Sequence, residues 1–120
     1  MEQIQSAKQE LSKLKSLYIA QINLQNSISV LAQSDAFEER RCALEAESAA
    51  ISARLTRLFN ALCVLDAESR QILLMCYAMD DYVPEDIMDV LHIEKATFYR
   101  RKKAALERFA DALYGPNDME

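Results

Sequence analysis

From Ile4 to about Leu31, apolar residues recur at helical spacing through Leu11, Leu14, Leu17, Tyr18, Leu24 and Ile28, with no proline or glycine between them. The pattern predicts one long amphipathic helix. Written as heptads, Ile4, Leu11 and Tyr18 share one seam position, Ala7, Leu14 and Ile28 the next, and Leu17, Leu24 and Leu31 an adjoining row. Ile19 and Ile22 widen the stripe toward its C-terminal end, so that end is expected to touch more than one partner helix. Asp35 then reads as the cap of a second helix, with Glu38 three residues on reaching back. That helix repeats every seven residues at Phe37, Leu44, Ile51, Leu58 and Leu65, interleaved with Leu55 and Leu62 and interrupted by Arg41 and Ser48.

A short connection between helices of matched period predicts an antiparallel hairpin, each arm roughly 40 Å long. Two helices alone cannot hide stripes this wide, so the hairpin is expected either to pack on the C-terminal half or to self-associate. Leu11, Leu14, Leu17, Leu24, Ile28, Leu44, Ile51 and Leu55 are the candidate dimer or interaction face.

Past Leu65 the pattern shortens. Asp66 is a cap with acids in the first turn, leading to a helix whose inward face is Ile72, Leu73, Met75, Cys76 and Met79, ended by Asp80-Asp81-Tyr82. Pro84 stands where a first helical turn tolerates it, followed by Glu85 and Asp86 and a buried side of Ile87, Val90 and Leu91. His92-Ile93-Glu94 leaves room only for a turn. A basic helix then starts at Lys95, with Phe98, Ala105, Leu106, Phe109 and Leu113 as core candidates and Gly115-Pro116 as its stop.

Composition agrees with an all-α chain, since one glycine and two prolines in 120 residues leave little from which to build the turns of a sandwich or barrel. Cys42, Cys63 and Cys76 are odd in number and widely spaced, and read as reduced packing residues rather than disulfides or zinc ligands. The Met75, Met79 and Met88 set reads as core filler. With His92 as the only histidine, the inventory argues against an enzyme, a metal, a cofactor or a small-molecule substrate. No apolar run reaches the roughly 20 residues of a membrane span, and the polar start lacks the signature of a signal peptide, so a cytoplasmic location is expected.

The net charge of −5 conceals segregation. Residues 66–91 carry −6 and residues 92–108 carry +4, from Lys95, Arg100, Arg101, Lys102, Lys103 and Arg108 against Glu94 and Glu107. A bare charge run is usually a solvated helix face. This one falls on the second helix of a short helix, three-residue turn and long basic helix, the form of a helix-turn-helix whose second helix lies in the DNA major groove. Ile87, Leu91, Ile93 and Phe98 sit at the intervals that lock such helices together.

On these residues, with Leu65 to Arg70 and Leu73 to Tyr77 before them and Thr97 to Leu106 after, residues 62–115 resemble the ArpU/RinA-type phage late-transcription regulators. The DNA-binding half of those regulators is similar to region 4 of sigma-70-family factors. Ala112-Leu113-Tyr114-Gly115 is similar too. The chain departs from the pattern at Met88, where a small residue is usual, at His92, often a glycine, and at Glu94, usually Ser or Thr. The resemblance implies that Glu94, Lys95, Ala96, Tyr99, Arg100 and Lys103 face the groove. By periodicity Arg101, Lys102 and Arg108 fall at the flanks, near phosphates.

The expectation is therefore an all-α chain: an N-terminal antiparallel helical hairpin over residues 1–62, a sigma region-4-like helix-turn-helix bundle over 63–115 and a tail over 116–120. Its function would be that of a sequence-specific transcription regulator of phage or prophage type. The partners would be double-stranded DNA, a second copy through the hairpin and, by analogy with sigma region 4, RNA polymerase. The competing reading is a phage-encoded interaction module whose acidic surface, Asp80, Asp81, Glu85, Asp86 and Asp89, occupies a basic nucleic-acid-binding partner. A scaffold built on the coiled-coil arm is a third.

Overall fold

A computed structural model describes residues 2–79 and 82–115. The described residues are all helical elements and connections: α1 (Glu2–Ser12), α2 (Leu14–Leu31), α3 (Glu38–Cys63), α4 (Ala67–Leu73), α5 (Pro84–Leu91) and α6 (Lys95–Tyr114). The all-α expectation holds. No helix among the described residues is long and apolar enough to cross a membrane. Asp80 and Asp81, expected to end the fourth helix, lie outside the described residues, as do Pro116 and the tail.

The expected first helix is two. Lys13 adopts φ −89° and ψ −9° between α1 and α2, and its N–H bonds to the Glu10 carbonyl three residues back, a local tightening rather than a change of direction in the sequence pattern. The cap of the second helix also differs. Ser34, extended at φ −146° and ψ 133°, accepts from the Ala36 N–H at 3.2 Å, and Asp35–Phe37 forms a 3₁₀ turn before α3. Asp35 is inside that turn, one residue past the position where a side chain can cap it.

Antiparallel pairing of α2 and α3 is marked by a polar layer in the apolar seam. The Gln25 amide donates to the Ser48 hydroxyl at 2.7 Å, and that hydroxyl donates to Gln21 Oε1 at 3.0 Å. Ser48 is the buried polar residue of the hairpin, and its pairing with two α2 residues one turn apart favours a single register. Around it Leu17, Leu24, Ile28, Leu44 and Ile51 are half-buried, as a two-helix arm must leave them.

The end that meets several helices is the N-terminal one, not the C-terminal one the widening stripe suggested. Ala7, Leu11 and Leu14 enter the same core as Leu55, Leu58, Ala61 and Leu62 of α3 and Ala105, Leu106, Phe109, Ala110 and Leu113 of α6. Ile19 and Ile22 remain 48% and 44% exposed. Small residues explain the choice: Ala7, Ala105 and Ala110 let α1 and α6 approach closely, because the distance between helix axes follows the side chains at the contact. The core is thus continuous across the boundary expected near residue 62. Arg57 reinforces it by donating to the Leu113 carbonyl at 3.0 Å, its guanidinium 5.4 Å from the Tyr114 ring centroid. Arg70 donates to the carbonyls of Leu62 (3.1 Å) and Leu65 (2.9 Å) at the end of α3, the former shared with the Leu65 N–H.

Asp66 caps α4 as expected, accepting from the Ser69 N–H at 2.7 Å. α4 then widens into a π-helical turn at Leu74–Ala78, where the Met79 N–H reaches back five residues to the Leu74 carbonyl. The extra residue rotates the chain beyond it. Ala78 is buried in place of Met79, which is 45% exposed, so Met79 is not core filler. Cys42 and Cys63 are exposed rather than packing residues; Cys76 alone is half-buried, and burial pushes its thiol up.

Candidate nucleic-acid interface

A second, smaller core joins the two helices of the expected motif. Ile72 and Met75 of the preceding helix, Ile87 of α5 and Phe98 of α6 are buried together, with Met88, Leu91 and Ile93 packed against them. Val90, expected inside, is 51% exposed, and Met88 takes the inward place. Met88 and Val90 flank Ile87 and Leu91 on opposite sides, so on so short a helix a rotation of about 50°, half of one residue's step, exchanges the two. α5 starts on Pro84, with Asp86 accepting from the Val83 N–H at 3.3 Å. It ends at His92 in the left-handed region (φ 57°, ψ 47°), while the Ile93 N–H bonds back to the Met88 carbonyl at 3.1 Å. The residue that departs from glycine therefore adopts the conformation glycine favours.

Phe98, with no exposed surface, fixes the rotation of α6. At about 100° per residue the basic run then divides three ways. Lys95, Arg100 and Lys103 are exposed, Tyr99 is 43% exposed, and Ala96 leaves the backbone open between them. Among the described residues Lys95, Arg100 and Lys103 form no ion pair.

Arg101 and Arg108 point the other way, toward the acidic start of α4. Arg101 pairs with Glu68, and both arginines help hold the Asp66 carboxyl below its usual range, after the larger effect of the hydrogen bonds from Ser69. Lys102 is half-buried on the opposite flank, its ammonium 5.4 Å from the Tyr77 centroid, 5.8 Å from Tyr99 and 6.0 Å from Phe98. Phe98 and Tyr99 meet edge to face, centroids 5.0 Å apart.

The eight residues of the expected interaction face lie on the chain's own seam. Leu11, Leu14 and Leu55 are buried in the core and the other five are half-buried between α2 and α3. The apolar side chains the hairpin leaves to solvent are instead Tyr18, Ile19, Ile22, Val30, Phe37 and Phe59. Of the acidic surface, Glu85, Asp86 and Asp89 are exposed on α5; Asp80 and Asp81 lie outside the described residues. Among the described residues no group of three His, Cys, Asp or Glu side chains could hold a metal.

Sequence reading missed Lys8 and Tyr77. With Ile4, Tyr99, Lys102, Lys103, Leu106 and Glu107 they line a cleft of about 300 Å³ between α1, the π turn and α6. Nothing local marks Lys8, which lies about ninety residues from the basic run in sequence and joins it only through the docking of α1.

Residues 38–110 match a family described as Protein of unknown function (DUF1492). That span runs from the start of α3 to near the end of α6 and takes in all of α5, the turn and the six basic residues. No curated protein and no solved structure matches the chain.

Proposed function

The chain belongs to the DUF1492 family, and from the geometry of α5 and α6 we propose that it is a non-enzymatic, sequence-specific DNA-binding regulator. One observation carries the reading: a helix, a three-residue turn through left-handed His92 and a second helix locked by Phe98 present Lys95, Arg100 and Lys103 outward with no carboxylate partner among the described residues. Arg100 suits a guanine edge, Tyr99 a thymine methyl or a phosphate oxygen, and Lys95 and, at the margin of the groove, Lys103 a phosphate. The finer likeness, to ArpU/RinA-type phage regulators with an RNA polymerase contact, is part of the proposal. So is a homodimer formed through the exposed rows of the hairpin, which would place two recognition helices on two half-sites.

The experiment is binding to pooled double-stranded fragments from the gene's own neighbourhood at two salt concentrations, with mass in solution measured alongside. Retention of a selected fragment, steep salt dependence and a dimeric mass are expected. Arg100→Ala should relax base preference, whereas Lys95→Ala should weaken all fragments alike. No fragment retained at low salt overturns the reading.

The acidic interaction module keeps one specific observation in its favour. Glu85, Asp86 and Asp89 are exposed along α5, and Arg101 and Arg108 face acids of α4 rather than solvent alone. Failure on DNA together with capture of a basic nucleic-acid-binding protein through α5 would favour it.

A further inference from the structure

We propose that the N-terminal helix belongs to the DNA-binding surface, with Lys8 joining Lys102 and Lys103 around a backbone phosphate of double-stranded DNA; this rests on the DNA reading above. Ala7 and Leu11 have no exposed surface and so fix the rotation of α1 against α6. Lys8, next to Ala7 and one turn after Ile4, is thereby placed on the rim of the cleft.

The cleft's chemistry suits an anion held from one side. Its floor is Ile4 and Leu106, its charged rim three lysines against Glu107, and its wall the Tyr77 and Tyr99 rings. Lys8 and Lys103 form no ion pair among the described residues, and Lys102 is steadied by the rings rather than by a carboxylate. The Tyr77 hydroxyl, a phenol protonated at neutral pH, is available as a donor, and burial pushes its pKa further up, to about 12.

Geometry identifies the phosphate as one bordering the groove. Packed helices lie about 8–10 Å apart and the major groove is about 12 Å wide, so with α6 inside the groove its neighbour α1 stands over the sugar-phosphate edge. Lysine, a flexible point charge, suits that edge better than the bases. The N-terminal arm would then contribute directly to DNA affinity.

The test is salt-dependent binding of the full chain to a short mixed-sequence duplex, comparing wild type with Lys8→Ala, Lys8→Arg, Lys103→Ala and Lys15→Ala, with helicity checked by circular dichroism. Lys8→Ala should make the log-log salt slope shallower by about 1, as Lys103→Ala does. Lys8→Arg and Lys15→Ala, the latter outside the cleft, should keep the wild-type slope. A Lys8→Ala slope equal to wild type while Lys103→Ala flattens it overturns this inference and leaves the DNA reading standing. So does equal flattening by Lys8→Ala and Lys15→Ala, which is a diffuse charge effect. A wild type that does not bind the duplex overturns both.

Discussion

The Lys102 ammonium lies 5.4 Å from the centroid of the Tyr77 ring, joining the basic helix to the π turn that precedes the motif. Tyr77 is half-buried there, and its hydroxyl is pushed from an ordinary 10.0 up to about 12, chiefly by burial and secondarily by Cys76. The folded chain holds this proton where the unfolded chain has lost it. Stability is therefore intact below pH 10 and falls as pH rises toward 12. Urea unfolding of Tyr77→Phe, which keeps the ring, should lose stability less steeply than wild type across that window. Equal slopes would assign the alkaline loss to other groups.

Ser48→Ala removes the centre of the polar layer in the hairpin. Gln21 is half-buried and Gln25 exposed, so water replaces part of what is lost. The expected cost is about 1 kcal/mol, near that of a typical net hydrogen bond. Adding Gln21→Ala to Ser48→Ala should then cost less than Gln21→Ala does alone, because the shared bond is already gone. Additive losses in a double-mutant cycle would show that the two side chains act independently.

His92 holds the turn of the motif at φ 57°. A left-handed L-residue costs roughly 1–2 kcal/mol, part of which glycine recovers after its larger unfolded-state entropy. His92→Gly should raise stability by about 0.5–1 kcal/mol, and His92→Val, with a branched Cβ, should lower it. Thermal unfolding of the two variants in parallel measures both signs.

Phe98 links α4, α5 and α6 with no exposed surface. Phe98→Ala should destabilise the chain by about 3–5 kcal/mol. It should also remove duplex binding before unfolding is complete, since the orientation of α6 depends on this side chain. Denaturant unfolding followed beside binding separates the two losses.

Glu68 competes for Arg101. Both side chains are more than a third exposed, so the pair itself contributes little to stability, within about 1 kcal/mol. On the DNA reading Glu68→Gln frees Arg101 for a phosphate and removes a repelling charge, and duplex affinity should rise. Unchanged or weaker binding by Glu68→Gln would place Arg101 outside the interface.

Periodicity and caps were legible in the chain because they are local. Asp66 at the start of α4, Pro84 at the start of α5, the interior residues of α6 and the turn at His92 each follow from neighbours within a few residues. Met79 departs from the pattern for a local reason, a π turn that adds one residue, and Val90 for a tertiary one, since the inward side of a two-turn helix is decided by what it meets.

The all-α class, the antiparallel hairpin and the concentration of six basic residues on one helix are written in the local pattern of the chain. These rest on hydrophobic period, chain connectivity and the scarcity of glycine and proline. That the N-terminal end of the hairpin closes onto α6 through Ala7, Leu11 and Leu14 is a matter of packing between distant segments. That docking buried Leu11, Leu14 and Leu55 of the expected interaction face in the core and carried Lys8 to the basic helix. Periodicity shows which side of a helix is apolar, but which surface covers it depends on the fit of side chains from distant segments, and here small alanines at α1 and α6 permit the close approach.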